Sequence, residues 1–398
     1  MLQQRMPLSV YLYSFCQAIN LTSAVISVAV AATVGNILAP NELWATIPYG
    51  MQFFLLLLST YPAALLMKRF GRKAGFSVGC SILMLSGIVG YLAIQHESFM
   101  LLVISHSLLG CFTAFANFYR FAATDNLPKG KRSKALSLVI AGGVLAGVFG
   151  PYISSQLREV SGYPLFSLCY AFFIVLAIIN ILVIFFLPTT QKTTSDKTMA
   201  QPKQEPLNQN TRSQIIIALI SAAIGYGLMN LLMIQSSLHM GHMHVSFEKS
   251  SFAIQWHVVS MFFPSFFSGL LIARWGHFNL IYVGFLLLIA TFLVNMFAHN
   301  YAAIAFSLIL LGLGWNFCYV GGSALLSVAL ENNPKAHNWQ GIGDTTIAIF
   351  ATMGAFLPSV LLTLIGWQGS NILALSLCLL SIFLVSHLSP KKIVQKVA

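Results

Sequence analysis

The chain has 398 residues, 57% of them hydrophobic and only 8% charged, and a formal net charge of +12. No single soluble core hides that apolar fraction, so composition excludes a soluble globular domain and leaves a protein that lives in a bilayer. The positive balance is what loops held on the cytoplasmic face of a membrane carry, and it calls for no nucleic-acid partner.

Stretches of about 20 apolar residues suffice to cross a bilayer. The chain divides into twelve of them, at roughly 9–33, 43–67, 74–95, 99–123, 135–157, 163–187, 214–238, 250–273, 278–298, 301–330, 341–365 and 369–388. The first is too long for a signal-peptide core and lacks a small-residue cleavage site, so it is expected to stay in the mature protein. With both termini on the cytoplasmic side, nearly every Lys and Arg falls inside, from Arg5 through the Lys68–Lys73 and Lys129–Lys134 loops to Lys335 and Lys391; only Arg158 and Lys249 fall outside. The expected location is the bacterial inner membrane. The six cysteines lie singly in apolar runs and read as small core residues.

Ionisable and amide side chains inside spans are expensive enough to need a reason. In chain order, Gln17 and Asn20 of span one, Gln52 of span two and Asn117 of span four are candidates to line a central cavity. In span four His106 is a candidate proton carrier, because a histidine titrates near pH 6.5; a hydrogen-bonded packing role is the competing reading. Arg120 and Asp125, about one and a half turns apart, form an expected charge network at the cytoplasmic end, with Arg132 or Lys134 as further members. An arginine there can also capture an anionic solute. In span five, Gly147, Gly150 and Pro151 make a packing or bending point.

Residues 188–213 change abruptly to a polar, Pro- and Gln-containing composition, a flexible linker that divides the chain into 1–187 and 214–398, six spans each. In span seven Asn230 and Gln235 are cavity candidates, and His239, His242 and His244 with the intervening methionines form a possible soft-metal site. Unused loop histidines are the competing reading. His257 in span eight is the second proton candidate, beside Trp256 as a cavity candidate. Trp315 and Asn316 in span ten complete that set, together with Tyr11, Tyr49, Tyr119, Tyr226 and Gln255. Asp344 opens span eleven, where an acid complements the positive helix terminus.

A short basic loop occurs twice, 205 positions apart: Lys68-Arg69-Phe70-Gly71-Arg72-Lys73 and Ala273-Arg274-Trp275-Gly276-His277, each at the exit of an apolar segment. Gly147 to Pro151 and Gly354 to Pro358 repeat with an offset of 207. The halves are related by repetition, as in many transporters.

The twelve spans, the central linker and the duplicated loop together resemble the major facilitator superfamily of secondary transporters. Arg69, Gly71, Arg72 and Lys73 match the superfamily's loop signature, with Ala64 in place of its glycine and Lys68 in place of its aspartate. Gly147 to Pro151 is similar to the fifth-span motif of the family's antiporters, although Ser154 and Ser155 replace the paired glycines that follow there. His106 stands where the family's drug exporters carry an arginine.

The resemblance implies an all-α integral membrane protein of twelve helices in two pseudo-symmetric six-helix bundles. It also implies that the basic loop packs against span eleven when the cytoplasmic side is closed, making Arg69 or Arg72 with Asp344 a gate latch. The expected function is proton-coupled, alternating-access transport of a small organic solute by a monomer, with no cofactor. Export of a drug, siderophore or metabolite by antiport is preferred. Uptake of a vitamin, siderophore or amino-acid-like nutrient is the alternative, and a non-transporting receptor or scaffold is the alternative of a different class. An enzyme or ATP-driven pump is not expected, since no phosphate-binding loop is present.

Overall fold

A computed structural model of the chain describes residues 6–125, 127–187, 208–297, 300–330 and 336–389. Most of the expected linker, 188–207, and the basic residues Arg5, Lys335 and Lys391 lie outside these described residues, as do the side chains of Arg132 and Lys134.

The helices follow from long apolar runs stopped by short polar turns. They are α1 (Leu8–Leu38), α2 (Ile47–Phe70), α3 (Arg72–Gln95), α4 (Phe99–Ala116, continued by Tyr119–Ala122), α5 (Lys129–Leu157) and α6 (Ser167–Phe185). After the linker come α7 (Gln209–His242), α8 (Phe247–Phe262, continued by Ser268–Trp275), α9 (His277–Phe297) and α10 (Tyr301–Ala329). The run Ala336–Leu388 holds two more, α11 (336–365) and α12 (367–388), separated where Gly366 turns to φ 68°. Nine helices among the described residues are long and apolar enough to cross a membrane, or ten with the bent α8 pair taken as one span. That count takes Ala336–Leu388 once; dividing it at Gly366 and adding the 29-residue α5 gives twelve. At 1.5 Å per residue, α5 is about 43 Å long.

Polar caps set several starts. Ser98 Oγ accepts from Leu101 N, Asn208 Oδ1 from Thr211 N at 2.7 Å, Ser246 Oγ from Lys249 N, and Asn300 Oδ1 from Ala303 N at 2.9 Å. The Asn208 cap starts α7 five residues before the expected boundary. At the two copies of the basic loop the same turn appears. Gly71 has φ 88° and ψ 162°, Gly276 φ 80° and ψ 164°, and each donates its N–H back to the last helical turn, to Met67 O and Ile272 O. Only glycine adopts that backbone without strain, which is why the loop repeats a glycine there.

The expected span 250–273 is bent in α8. Its two limbs meet at 58° across a 3-10 turn at Phe263–Phe266. Pro264 has no N–H to give the preceding turn, so the backbone ladder breaks there.

The helices pack as two bundles with matching neighbours. In the first, α5 lies against α1, α4 against α2 and α3, and α6 against α3; in the second, α11 lies against α7, α10 against α8 and α9, and α12 against α9. Each has its own core, one built around Phe76, Phe112, Tyr119 and Phe173, the other around Leu232, Phe285, Leu308 and Leu311. Between bundles α5 meets α8 and α2 meets α11, again a matched pair of contacts.

Candidate functional site

All hydrogen bonds and ion pairs that join the two bundles among the described residues lie toward the end opposite the basic loops. Thr46 Oγ1 donates to Phe356 O at 3.0 Å, the Thr46 and Ser359 hydroxyls lie 2.7 Å apart, and Ser359 Oγ donates to Leu43 O at 2.9 Å. Across the other seam, Arg158 Nη1 donates to Glu248 Oε1 at 2.7 Å, with its guanidinium over the rings of Phe166 and Phe247. Glycine lets the backbones approach: a Cβ on Gly147 would meet Val258 Cγ1 at 3.1 Å and Val259 N at 3.2 Å, and one on Gly50 would collide with the Phe356 ring. At the basic end, Leu58, Tyr61 and Leu65 of α2 and Ile342, Asp344 and Ile349 of α11 are exposed. The bundles are therefore clasped at one end and parted at the other.

Between them lies an aromatic floor drawn from both bundles. Tyr49 and Phe53 of α2 pack edge to face at 5.1 Å, and Phe53 meets Tyr226 of α7 at 6.5 Å. Tyr226 in turn contacts Trp315 at 5.5 Å and Tyr319 at 5.9 Å, and Trp315 and Tyr319 are stacked at 5.1 Å with planes 7° apart. Phe262, at the bend of α8, closes the group against Trp315. Phe53, Tyr226 and Tyr319 keep part of their surface free, whereas Tyr49 and Trp315 are buried behind them. The Trp315 indole N–H is buried without a hydrogen-bond partner. Such a surface offers ring faces and edges to a flat, unsaturated solute.

Of the expected cavity residues, Tyr49, Tyr226 and Trp315 belong to this floor, and the sequence reading misses Phe53 and Tyr319. Their signal is present as aromatic pairs four residues apart, Tyr49 with Phe53 and Trp315 with Tyr319, which share one helix face. Gln17 and Asn20 are buried on α1, with Gln17 Oε1 and both amide atoms of Asn20 unpartnered among the described residues. Asn117 sits at the join between the two limbs of α4.

Further cavity candidates hold helices together. Asn230 Nδ2 donates to Ala351 O, and Gln235 Nε2 donates to Pro358 O and Ser370 Oγ, tying α7 to α11 and α12. Asn316 Nδ2 donates to Met261 O and Ser265 Oγ, both at 2.7 Å, while Ser268 Oγ donates to Asn316 Oδ1. Asn316 thus satisfies the backbone that the α8 break sets free. Trp256 does not join the floor: it is 48% exposed, and its ring packs against Phe252 of the same helix.

His106 is enclosed within the first bundle. Its Nδ1 lies 3.2 Å from both Gln52 Oε1 and Ser27 Oγ, its Nε2 lies 3.1 Å from Tyr170 OH, and Ser27 Oγ donates to Gln52 Oε1 at 2.6 Å. Gln52 is therefore a member of this buried network. His257 is enclosed in the second bundle, donating from Nδ1 to Leu308 O at 2.7 Å, with Nε2 unpartnered.

The latch expected for a closed basic end is not made in this arrangement, which is parted there: Arg72 makes a two-pronged ion pair with Asp125 at 2.8 and 3.1 Å, inside its own bundle. Two other expectations need correction. Asp125 is consequently not the partner of Arg120. His239, His242 and His244 do not gather as a metal site: among the described residues no group of three His, Cys, Asp or Glu does, and His239 is stacked flat on Trp367 at 4.3 Å. Gly150 and Pro151 lie within an unbroken α5, where Gly150 is pressed against Val25 of α1 and so serves close packing.

Two matched helical bundles, clasped at one end around a central pocket wall, define the class of membrane transporters. The chain belongs to the Major Facilitator Superfamily, whose family model matches residues 11–343. It is similar to the riboflavin transporter RfnT of Brucella anthropi, 28% identical over 388 residues that cover 96% of each chain. It is also similar to two uncharacterized MFS-type transporters of Bacillus subtilis, YddS (26% identical, covering 89% of this chain and 84% of the relative) and YdeG (27%, covering 90% and 86%).

Proposed function

We propose that this chain is an alternating-access secondary transporter that takes up a planar heteroaromatic solute of vitamin size, with riboflavin as the first compound to test. The aromatic floor built from both bundles carries this reading: a flat ring held against Phe53, Tyr226 and Tyr319 contacts each bundle at once, so its binding feels their relative position. The full-length likeness to a riboflavin transporter supports it. Asn20, both of whose amide atoms lack partners among the described residues, and Gln17, whose Oε1 does, are the polar candidates for orienting the solute on α1.

Energy coupling is assigned to protons. His257 is the stronger carrier, because one of its ring nitrogens is free to accept a proton, whereas both nitrogens of His106 are engaged by neighbours. Export by proton exchange is the second reading, favoured by the Gly147 to Pro151 motif. The protein is assigned to the inner membrane as a monomer, with 1–187 and 214–398 as its halves and the basic loops on the cytoplasmic side. In that orientation the structure faces inward, and Arg69 or Arg72 pairing with Asp344 belongs to the opposite state.

The test is riboflavin entry into proteoliposomes holding a pH-sensitive dye. Accumulation driven by an inward proton gradient, lost in Trp315→Ala and uncoupled from protons in His257→Gln, is expected. Proton movement opposite to the solute replaces uptake by exchange, and absence of movement for any planar ring overturns the assignment.

A further inference from the structure

Arg120 lies in the short second limb of α4, Tyr119–Ala122, at the basic end of the pocket. Its Nε is buried without a partner, and its guanidinium lies 4.7 Å from the centre of the Phe121 ring. Among the described residues no carboxylate is within ion-pair distance of it: Asp125, five positions on, is held by Arg72 through two hydrogen bonds. Across the gap between bundles, however, Arg120 is within electrostatic reach of two residues, Asp344 of α11 and Tyr226 of α7. Tyr226 is a ring of the aromatic floor. Arg120 of the first bundle and Tyr226, a floor ring of the second, are thus electrostatic neighbours.

A buried guanidinium donor without an acceptor is costly, and the unpartnered Nε of Arg120 is such a donor. Its planar fork of donors matches carboxylate and phosphate oxygens. Resting on the planar-solute reading above, we infer that Arg120 recognises an anionic oxygen group on the substituent of the ring, so that the transporter prefers anionic heteroaromatic solutes over their neutral counterparts. The ring is held by the floor and the anion by Arg120. Asp344 then sets the sign of the empty site, keeping the arginine's field from attracting small anions when no ring is present.

The experiment compares riboflavin with its 5′-phosphate ester by quenching of flavin fluorescence on the purified full-length protein, for wild type, Arg120→Gln, Arg120→Lys and Trp315→Ala. Thermal unfolding and gel filtration confirm that each variant is folded. Wild type is expected to bind the phosphate ester at least tenfold more tightly than riboflavin. Arg120→Gln should erase that preference while leaving riboflavin binding within about twofold, and Arg120→Lys should restore part of it, since a point charge still serves a phosphate. Trp315→Ala should weaken both compounds together. Riboflavin binding with no preference for the ester, or a preference that survives Arg120→Gln, overturns the inference and leaves the planar-solute reading standing. Failure of both flavins to bind overturns both.

Discussion

Asn316 shows how one amide decides the shape of a span. Pro264 breaks the ladder of α8, and the Met261 carbonyl that this releases would stand bare in an apolar surrounding without the Asn316 amide 2.7 Å away. Leaving such a group unpaired costs about 1–3 kcal/mol. Asn316→Leu should therefore lower the unfolding temperature in detergent by several degrees and reduce transport, whereas Asn316→Gln should recover part of both. His106 belongs to the same kind of chemistry. His106→Phe leaves Ser27 bonded to Gln52 but strands the Tyr170 hydroxyl, and should destabilise the first bundle by about 1–3 kcal/mol without altering the number of protons moved per solute. If it alters that stoichiometry, proton coupling belongs to His106 and not to His257.

Helices meet where side chains are missing. A Cβ at Gly354 would run into the backbone of Gly227, and α7 and α11 are tied together there by Asn230 and Gln235. Nothing flexible can move aside, so Gly354→Val should prevent folding of the second bundle, seen as loss of a monodisperse peak on gel filtration. Gly147 occupies the matching place in α5 but faces across the seam to Val258 and Val259. Gly147→Leu should accordingly spare folding and wedge the clasped end open, raising thiol labelling of a cysteine introduced at Thr46 or Ser359. Much of this level is legible in sequence: apolar runs give the spans, and two of the positive-φ glycines, Gly71 and Gly276, are what make the basic loop recur in recognisable form. The partners of buried amides are not legible, because Gln235 and Ser370, or Ser27 and His106, are brought together only by packing of distant segments. The same holds for the charges: Arg72 has Asp125 and Asp344 both within plausible topological range, and spacing cannot tell which one a given state selects.

For the whole molecule, the balance between states rests on two seams at the clasped end. The Arg158–Glu248 pair is partly open to solvent, at 26% and 55% side-chain exposure, so its net contribution is about 0–1 kcal/mol. Glu248→Gln should therefore shift the population toward opening at that end by at most roughly fivefold, and double electron–electron resonance between labels on α5 and α8 would read the change in distance distribution. The hydroxyl seam of Thr46 and Ser359 is the more buried of the two, and Thr46→Val should add to the effect of Glu248→Gln. No shift from Glu248→Gln would mean that the cation over Phe166 and Phe247, and not the ion pair, carries the clasp.

The bend in α8 makes the two halves mechanically unequal. The equivalent helix of the first half, α2, runs from Ile47 to Phe70 through Pro62 without interruption, a lever that transmits rotation along its full length. In the second half the eight residues Ser268–Trp275 are a separate crank, joined at Phe263–Phe266 and carrying Gly276 and the entry of α9. A cycle built on these parts need not be a symmetric rocking of equal bodies: the first half can turn as one piece while the second folds at its elbow, so that the basic mouth can close before the clasp at the far end lets go.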